Sequence, residues 1–141
     1  AQVIEHVSWS TETKLRKNGG WTEWHDSCAE LHCVQDADRL DAIGAFGILR
    51  CAAYSAAVNR YGTDLTMFFR ADAAPISPLH VPSDDSKLKA SAIQHFHDKL
   101  VLIRDRLKTE PGKKLGAKRH SVIVAFIESV EEEYRPELAD L

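Results

Sequence analysis

The sequence lacks the features that would direct it to a membrane or to nucleic acid. Its formal charge is −3, which offers no general attraction to nucleic acid or anionic lipid. No apolar run approaches the roughly 20 residues that cross a bilayer, and the first residues have neither the basic nor the apolar part of a signal peptide. We therefore expect a cytoplasmic protein with no membrane partner, and nothing supports a nucleic-acid partner.

Cysteine is also scarce, with only Cys28, Cys33 and Cys51. The number is odd and no two of them have Cys-x-x-Cys spacing, so a disulfide framework or a zinc site is not indicated. We predict that all three are buried free thiols. There is no methionine at position 1. This favours a piece of a longer protein, or a deliberately shortened one, over a natural short homologue.

The 141 residues have ordinary globular composition, 44% hydrophobic and 28% charged, and we expect one helical domain over 1–141. The first long helix is predicted from a cap at Asp26 or Ser27 to about Asn59. Its Gly44 and Gly47 cost helix propensity, so a close helix contact or a local kink is expected there. Prolines predict a long irregular connection over 70–86.

Two further helices are predicted after this connection. The first, capped by Asp84 or Ser86, has one apolar stripe: Leu88, Ala92, Phe96, Leu100, Ile103 and Leu107. The last begins at Thr109 and Pro111 and ends at Arg135-Pro136. Its apolar residues are Leu115, Val122, Ile123, Phe126, Ile127 and Val130. The predicted class is all-α.

Three acids lie within six positions of the first long helix, which is otherwise rich in small and apolar residues. They are Asp36, Asp38 and Asp41. In a helix Asp38 and Asp41 share a face, whereas Asp36 points roughly the other way. A carboxylate in apolar surroundings needs a cation, so either a bound metal or ion pairs with Arg39 and Arg50 would explain the acids.

Four blocks resemble the HD-domain metal-dependent phosphohydrolases, particularly the small branch that acts on nucleotides. Residues 34–45, Val-Gln-Asp-Ala-Asp-Arg-Leu-Asp-Ala-Ile-Gly-Ala, are similar to the late helix of that family. Residues 4–10 resemble its Ile-x-x-His-Ser-(aromatic)-Ser segment, residues 91–100 its Ser-x-x-Asn-His-Phe-x-x-Lys-Leu helix, and residues 108–115 its Thr-x-x-Gly-Lys start of the closing helix. The blocks occur in the family's order over nearly the whole chain.

The resemblance implies a divalent metal held by an early His, a His-Asp pair and a late Asp. The late Asp corresponds to Asp38, with Asp36 as the alternative. Such ligands suit Mn, Fe, Co, Ni, Zn or Mg, with open positions for water and a phosphate oxygen. The expected reaction is hydrolysis of a nucleotide or related phosphate compound, with the metal lowering the pKa of its water.

The resemblance also implies that the early His and the His-Asp pair precede the Ile-x-x-His-Ser segment, where this chain begins. The pair His25-Asp26 is predicted to be a loop pair or a helix cap. We therefore expect a catalytically incomplete C-terminal portion of an HD domain, without its own metal. The alternative is a non-catalytic helical module for binding or oligomerisation, which would self-associate through the surface near Trp9, Trp21 and Trp24.

Four further residues are candidates for substrate binding. His6 matches a family histidine near the catalytic centre, with a purely structural histidine as the alternative. His95 and Lys99 are four apart on a predicted helix and would face a substrate phosphate, or else form a polar pair on the helix surface. Arg39 is the fourth. The basic residues at 113, 114, 118 and 119 indicate a solvated helix face, or an attractive patch for an anionic substrate.

Overall fold

In the computed structural model, residues 2–58 and 91–133 are described, and every regular element within them is helical. This agrees with the predicted all-α class. The elements are α1 (Gln2–Glu5), α2 (Trp9–Lys17), α3 (Glu23–Ser27), α4 (Ala29–Asp41), α5 (Gly44–Val58), α6 (Ala92–His95) with its π turn (Phe96–Leu100) and 3₁₀ turn (Val101–Arg106), and α7 (Glu110–Glu133).

The predicted helix from residue 27 to 59 is two helices, α4 and α5, whose axes differ in direction by 66°. Glycine conformation explains the break. Gly44 has φ +80°, which side chains other than glycine rarely adopt. At Gly47 a Cβ atom would collide with the carbonyl group of Ala42. The predicted kink is therefore present, and Gly44 also lies in close contact with another helix, since a Cβ there would be 3.0 Å from Arg119 Cγ. Asn59 lies outside the described residues.

The predicted apolar stripe after the connection is buried wherever it is described. Ala92, Phe96, Leu100, Ile103 and Leu107 are each at most 5% exposed. Their helix changes from α to π to 3₁₀ geometry along its length. It begins at Ala92, where Gln94 N–H donates to the Ser91 hydroxyl at 3.2 Å. The predicted caps, the stripe residue Leu88 and the connection 70–86 lie outside the described residues.

Helix α7 begins after Thr109, as predicted, and Gly112 N–H donates to the Thr109 hydroxyl at 3.0 Å. Its buried side is formed by Gly112, Gly116, Ile123 and Ile127. The glycines allow a close approach, because a Cβ on Gly112 would collide with the carboxylate of Asp36. The apolar residues at 115 and 122 instead lie on the exposed side. Arg135 and Pro136 lie outside the described residues.

The core joins α5, α6 and α7. Its fully buried members are Ile43, Ala92, Ile93, Phe96, Leu100, Ile103, Ile123 and Ile127. The three cysteines are free, as predicted, but they are not buried. Cys33 is exposed, because it lies on the outward side of α4. Cys28 and Cys51 are partly exposed.

Taken singly, the helices of the described ranges are too short or too polar to cross a membrane. The bent pair α4–α5 reaches the necessary length and composition only when its two members are added together.

Candidate functional site

Asp36, Asp38 and Asp41 of α4 have three different environments. Asp36 is 3% exposed and reaches across to the start of α7. Its carboxylate accepts the N–H of Lys108 at 2.9 Å and the N–H and hydroxyl of Thr109, both at 2.7 Å. These donors belong to the two residues that immediately precede α7, where backbone N–H groups lack partners within the helix. Asp36 therefore fixes α7 onto α4.

Asp41 forms the ion pair that was the alternative to a metal. Arg50 of α5 donates through both terminal nitrogens to the two oxygens of Asp41, with one bond at 3.0 Å. Both side chains are largely exposed. The hydrogen bond from Arg50 lowers the pKa of Asp41, so that this carboxylate is ionised at neutral pH. The pair spans the bend between α4 and α5.

Asp38 is exposed. Within residues 2–58 and 91–133 no side chain forms a hydrogen bond or ion pair with it. It follows Gln35 by one helical turn and precedes Ala42, the residue after α4, by another. Of the three acids it is the one left with its carboxylate open to solvent.

Arg39 is 1% exposed and belongs to a buried polar cluster with Glu12, Gln35 and Lys108. It donates to Glu12 and, at 2.7 Å, to the carbonyl oxygen of Arg106. Lys108 donates to Glu12 at 3.2 Å and also to Gln35. The guanidinium is thus enclosed, and its predicted contact with a substrate would require this cluster to open.

Charge compensation keeps Glu12 ionised inside this cluster. Burial alone raises the pKa of Glu12, but Arg16, Arg39 and Lys108 outweigh burial and lower the pKa to about 2. Burial also lowers the pKa of Lys108, and Glu12 counteracts that effect. The interaction is reciprocal for Arg39 and Lys108, the two cations that lie in the interior, because the Glu12 carboxylate compensates both of them.

His6 lies beside His25 and Trp24 at the α1 end of the molecule. The two imidazole centroids are 4.9 Å apart, and the His6 and Trp24 ring centroids are 5.6 Å apart. His6 donates from Nδ1 to the carbonyl of Gln2 at 2.8 Å. The main-chain oxygen of His6 accepts from Gln35 of α4 at 2.7 Å, which places this corner one turn from Asp38.

Of the pair His25-Asp26, only His25 takes part in a helix cap, which is one of the two roles predicted for the pair. Thr22 N–H donates to His25 Nδ1 at 3.0 Å in a capping box at the start of α3. Asp26 accepts from the Trp21 indole at 2.7 Å. Burial, with a contribution from His6, lowers the pKa of His25, so this imidazole is neutral near pH 7.

His95 and Lys99 line one cavity of about 210 Å³ between α5 and the α6 segment. The other lining residues are Ala42, Gly47, Arg50, Cys51, Tyr54 and Leu100. Burial and the neighbouring Lys99 lower the pKa of His95, which is therefore a neutral hydrogen-bonding group at pH 7. Ala42 places the cavity one helical turn beyond Asp38.

The described residues do not form a complete metal site. Nowhere in residues 2–58 or 91–133 do three His, Cys, Asp or Glu side chains come together in a way that could hold an ion. Asp38 offers one carboxylate, which is too few ligands for tight binding.

The four basic residues predicted as a solvated face of α7 have different environments. Arg119 donates to the Leu40 carbonyl and Lys113 pairs with Glu110, whereas Lys114 and Lys118 are exposed.

Comparison with solved structures identifies the class of proteins whose fold this chain resembles. A solved HD-superfamily hydrolase from Bacillus thuringiensis is 26% identical, with a TM-score of 0.53 over 89% of this chain and 61% of that one. The HD-like helical fold and the resemblance to HD-domain hydrolases are therefore confirmed. No family model matches the sequence.

Two relatives are more similar in sequence. YpgQ of Bacillus subtilis is 30% identical over 133 residues, covering 93% of this chain, and this chain spans about half of YpgQ (49%). One solved YpgQ structure contains ADP; it is 29% identical, with a TM-score of 0.55 over 86% of this chain and 49% of that one. A Lactobacillus plantarum structure is 31% identical, with a TM-score of 0.65 over 94% and 58%.

Sequence reasoning brought His95 and Lys99 together but missed their neighbours. The sequence predicts Arg50 only as an ion-pair partner of the acids and gives no indication of the cavity that Arg50 lines. The bend at Gly44 turns α5 so that Arg50 and Tyr54 line the same cavity as α6 residues more than 40 positions away. The signal available in the sequence was the glycine pair at 44 and 47, which marked a break but not its direction.

Proposed function

We propose that this chain is part of a metal-dependent phosphohydrolase that acts on nucleotides or related phosphate compounds. Asp38 is proposed as one metal ligand, with further ligands supplied by residues outside those described. The observation that carries the proposal is the isolation of Asp38. It is the one α4 acid with no side-chain partner among the described residues, and it occupies the position that matches the family's late Asp.

The surroundings of Asp38 support the same proposal. Gln35, which donates to the main chain of His6, precedes Asp38 by one helical turn, and Ala42, which lines the cavity with His95 and Lys99, follows it by one turn. Lys99 supplies a positive charge, and neutral His95 supplies a hydrogen-bond donor or acceptor, for phosphate oxygens. The ADP bound to the related YpgQ makes a nucleotide phosphate the natural candidate for this chain.

The test uses the longest natural form of the protein, purified with its metal. Metal content and nucleotide hydrolysis are measured for the wild type, Asp38→Ala and the control Asp105→Ala, which removes an exposed acid from the 3₁₀ turn. We expect Asp38→Ala to lose bound metal and at least about a hundredfold in hydrolysis, a loss of about 2.7 kcal/mol in transition-state stabilisation. The control should match the wild type. Retention of both properties by Asp38→Ala would refute the proposal.

One observation favours the alternative of a binding or oligomerisation module. Helix α5 exposes Phe46, Leu49 and Tyr54, which are 79%, 65% and 70% accessible. Neighbouring apolar side chains that remain this exposed often mark an interaction surface. Size-exclusion chromatography of the wild type and Phe46→Ser/Leu49→Ser separates the possibilities. A dimer that dissociates in the variant, without hydrolysis in the wild type, would support the module.

A further inference from the structure

The cavity beside α5 contains a third basic group, Arg50, in addition to His95 and Lys99. Arg50 lies on α5, and the other two lie on the α6 segment, so the groups approach the cavity from two elements. At neutral pH Arg50 and Lys99 are charged, while the lowered pKa of His95 leaves it neutral. The cavity therefore presents two cations and one neutral imidazole to whatever occupies it.

Arg50 is already engaged by Asp41 in a manner that competes with other anions. Both terminal nitrogens of the guanidinium point at the two oxygens of Asp41, which is the same two-pronged geometry that arginine uses for a phosphate. Both partners are largely exposed, with side-chain accessibilities of 58% and 63%. An exposed ion pair is weak, so a multiply charged anion can displace Asp41 at small cost.

We propose that Arg50 binds a phosphate group of the substrate by exchanging Asp41 for that phosphate, and that Asp41 thereby sets the affinity of the cavity for anions. The ligand class is the di- or triphosphate portion of a nucleotide. This inference rests on the proposed function for the identity of the anion. It adds a specificity-determining pair, Arg50 and Asp41, to the cavity that His95 and Lys99 line.

Size and charge favour a phosphate group over a whole nucleotide. The cavity, about 210 Å³, is smaller than the roughly 300–1,000 Å³ typical of pockets that enclose a complete ligand. It therefore accepts one part of a ligand, while the rest lies outside. While Asp41 holds Arg50, the charges of Arg50, Lys99 and Asp41 leave a net of one positive charge. When an anion takes Arg50, both cations face it.

The experiment measures binding of inorganic pyrophosphate by titration calorimetry at pH 7.5 with a chelator present, on the longest natural form of the protein. Arg50→Met should weaken binding by about tenfold or more, since it removes a charge-assisted pair of hydrogen bonds. Asp41→Asn should strengthen binding by about threefold or more, since it removes the competing charge. Arg104→Met, which removes an exposed arginine of the 3₁₀ turn, should leave binding unchanged.

The opposite signs of the two variants distinguish competition from simple positioning. If Asp41→Asn weakens binding as Arg50→Met does, Asp41 orients Arg50 and the exchange is refuted. Equal binding by Arg50→Met and the wild type refutes the proposal altogether. Thermal unfolding of each variant confirms that the fold is retained, which is expected because the pair is exposed.

Failure of this inference and failure of the proposed function give different results. Pyrophosphate binding with a chelator present requires no metal, so the Arg50 and Asp41 variants test the exchange whether or not Asp38 is a metal ligand. Loss of hydrolysis in Asp38→Ala together with unchanged binding in Arg50→Met would refute the exchange alone. The predicted binding pattern in a protein without hydrolysis would refute the hydrolase alone.

Discussion

The two sides of α4 both carry aspartates, but these differ in burial and in hydrogen-bond partners. On its inward side Asp36 and Arg39 are buried, and every oxygen of Asp36 has a donor within the protein. On its outward side Asp38 and Asp41 are exposed, and only Asp41 has a side-chain partner among the described residues. An acid that the fold itself satisfies contributes to stability. An exposed acid left without a partner is available to a ligand.

The largest effect on stability should come from neutralising Glu12 of α2, which pairs with Arg39 on the inward side of α4. Glu12→Gln leaves Arg39 and Lys108 in the interior without their carboxylate. Removing one partner of a buried ion pair costs about 3–5 kcal/mol. We expect a loss of this size in the free energy of unfolding by urea titration. Glu23→Gln, an exposed acid of α3, is the control and should change stability by less than about 0.5 kcal/mol.

Low pH should remove the stability that ionised Glu12 contributes to this buried cluster. The pKa of Glu12 is lowered from 4.5 to about 2 in the folded state, so its contribution is fully present above pH 4.5 and is lost as the pH falls toward 2. A shift of this size corresponds to about 3 kcal/mol. Urea titrations across this pH range should show the wild type losing its advantage over Glu12→Gln. A constant difference between the two proteins would contradict this assignment.

Asp36 should have the next largest effect. Asp36→Asn replaces a charged acceptor with a neutral amide beside the backbone donors of Lys108 and Thr109. We expect a loss of about 1–3 kcal/mol in the free energy of unfolding, because these donors would lose a charge-assisted partner. Asp38→Asn, on the outward side of the same helix, should change stability by less than about 0.5 kcal/mol. Equal losses of unfolding free energy in Asp36→Asn and Asp38→Asn would contradict the assignment of a stabilising role to Asp36 alone.

The smallest effect concerns the bend that brings α5 to the cavity. Gly44→Ala should cost about 1–2 kcal/mol, since φ is +80° and the new Cβ would lie 3.0 Å from Arg119 Cγ. Gly19→Ala is the matched control, with φ +70° and no atom within 4 Å of its Cβ. It should lose only about 1 kcal/mol through backbone strain. Thermal unfolding of both variants checks whether the contact adds to that strain.

Local sequence patterns predicted the helical class, the buried stripe and one side of the cavity, but not the division of the first long helix into α4 and α5. The spacing of Ala92, Phe96 and Leu100 predicted a buried stripe, and the four-residue spacing of His95 and Lys99 predicted their common direction. The patterns could not show that Asp36 caps α7 or that Glu12 pairs with Lys108. Those contacts join residues 72 and 96 positions apart, and no local spacing encodes them.

The contrast between Asp36 and Asp38 can be tested in one measurement: the rate of nucleotide hydrolysis per folded molecule for Asp36→Asn and Asp38→Asn, with the folded fraction determined in the same samples. The account predicts that Asp38→Asn remains fully folded and loses hydrolysis by about a hundredfold or more. Asp36→Asn should retain a near wild-type rate in the molecules that remain folded. Full hydrolysis by folded Asp38→Asn would contradict the account.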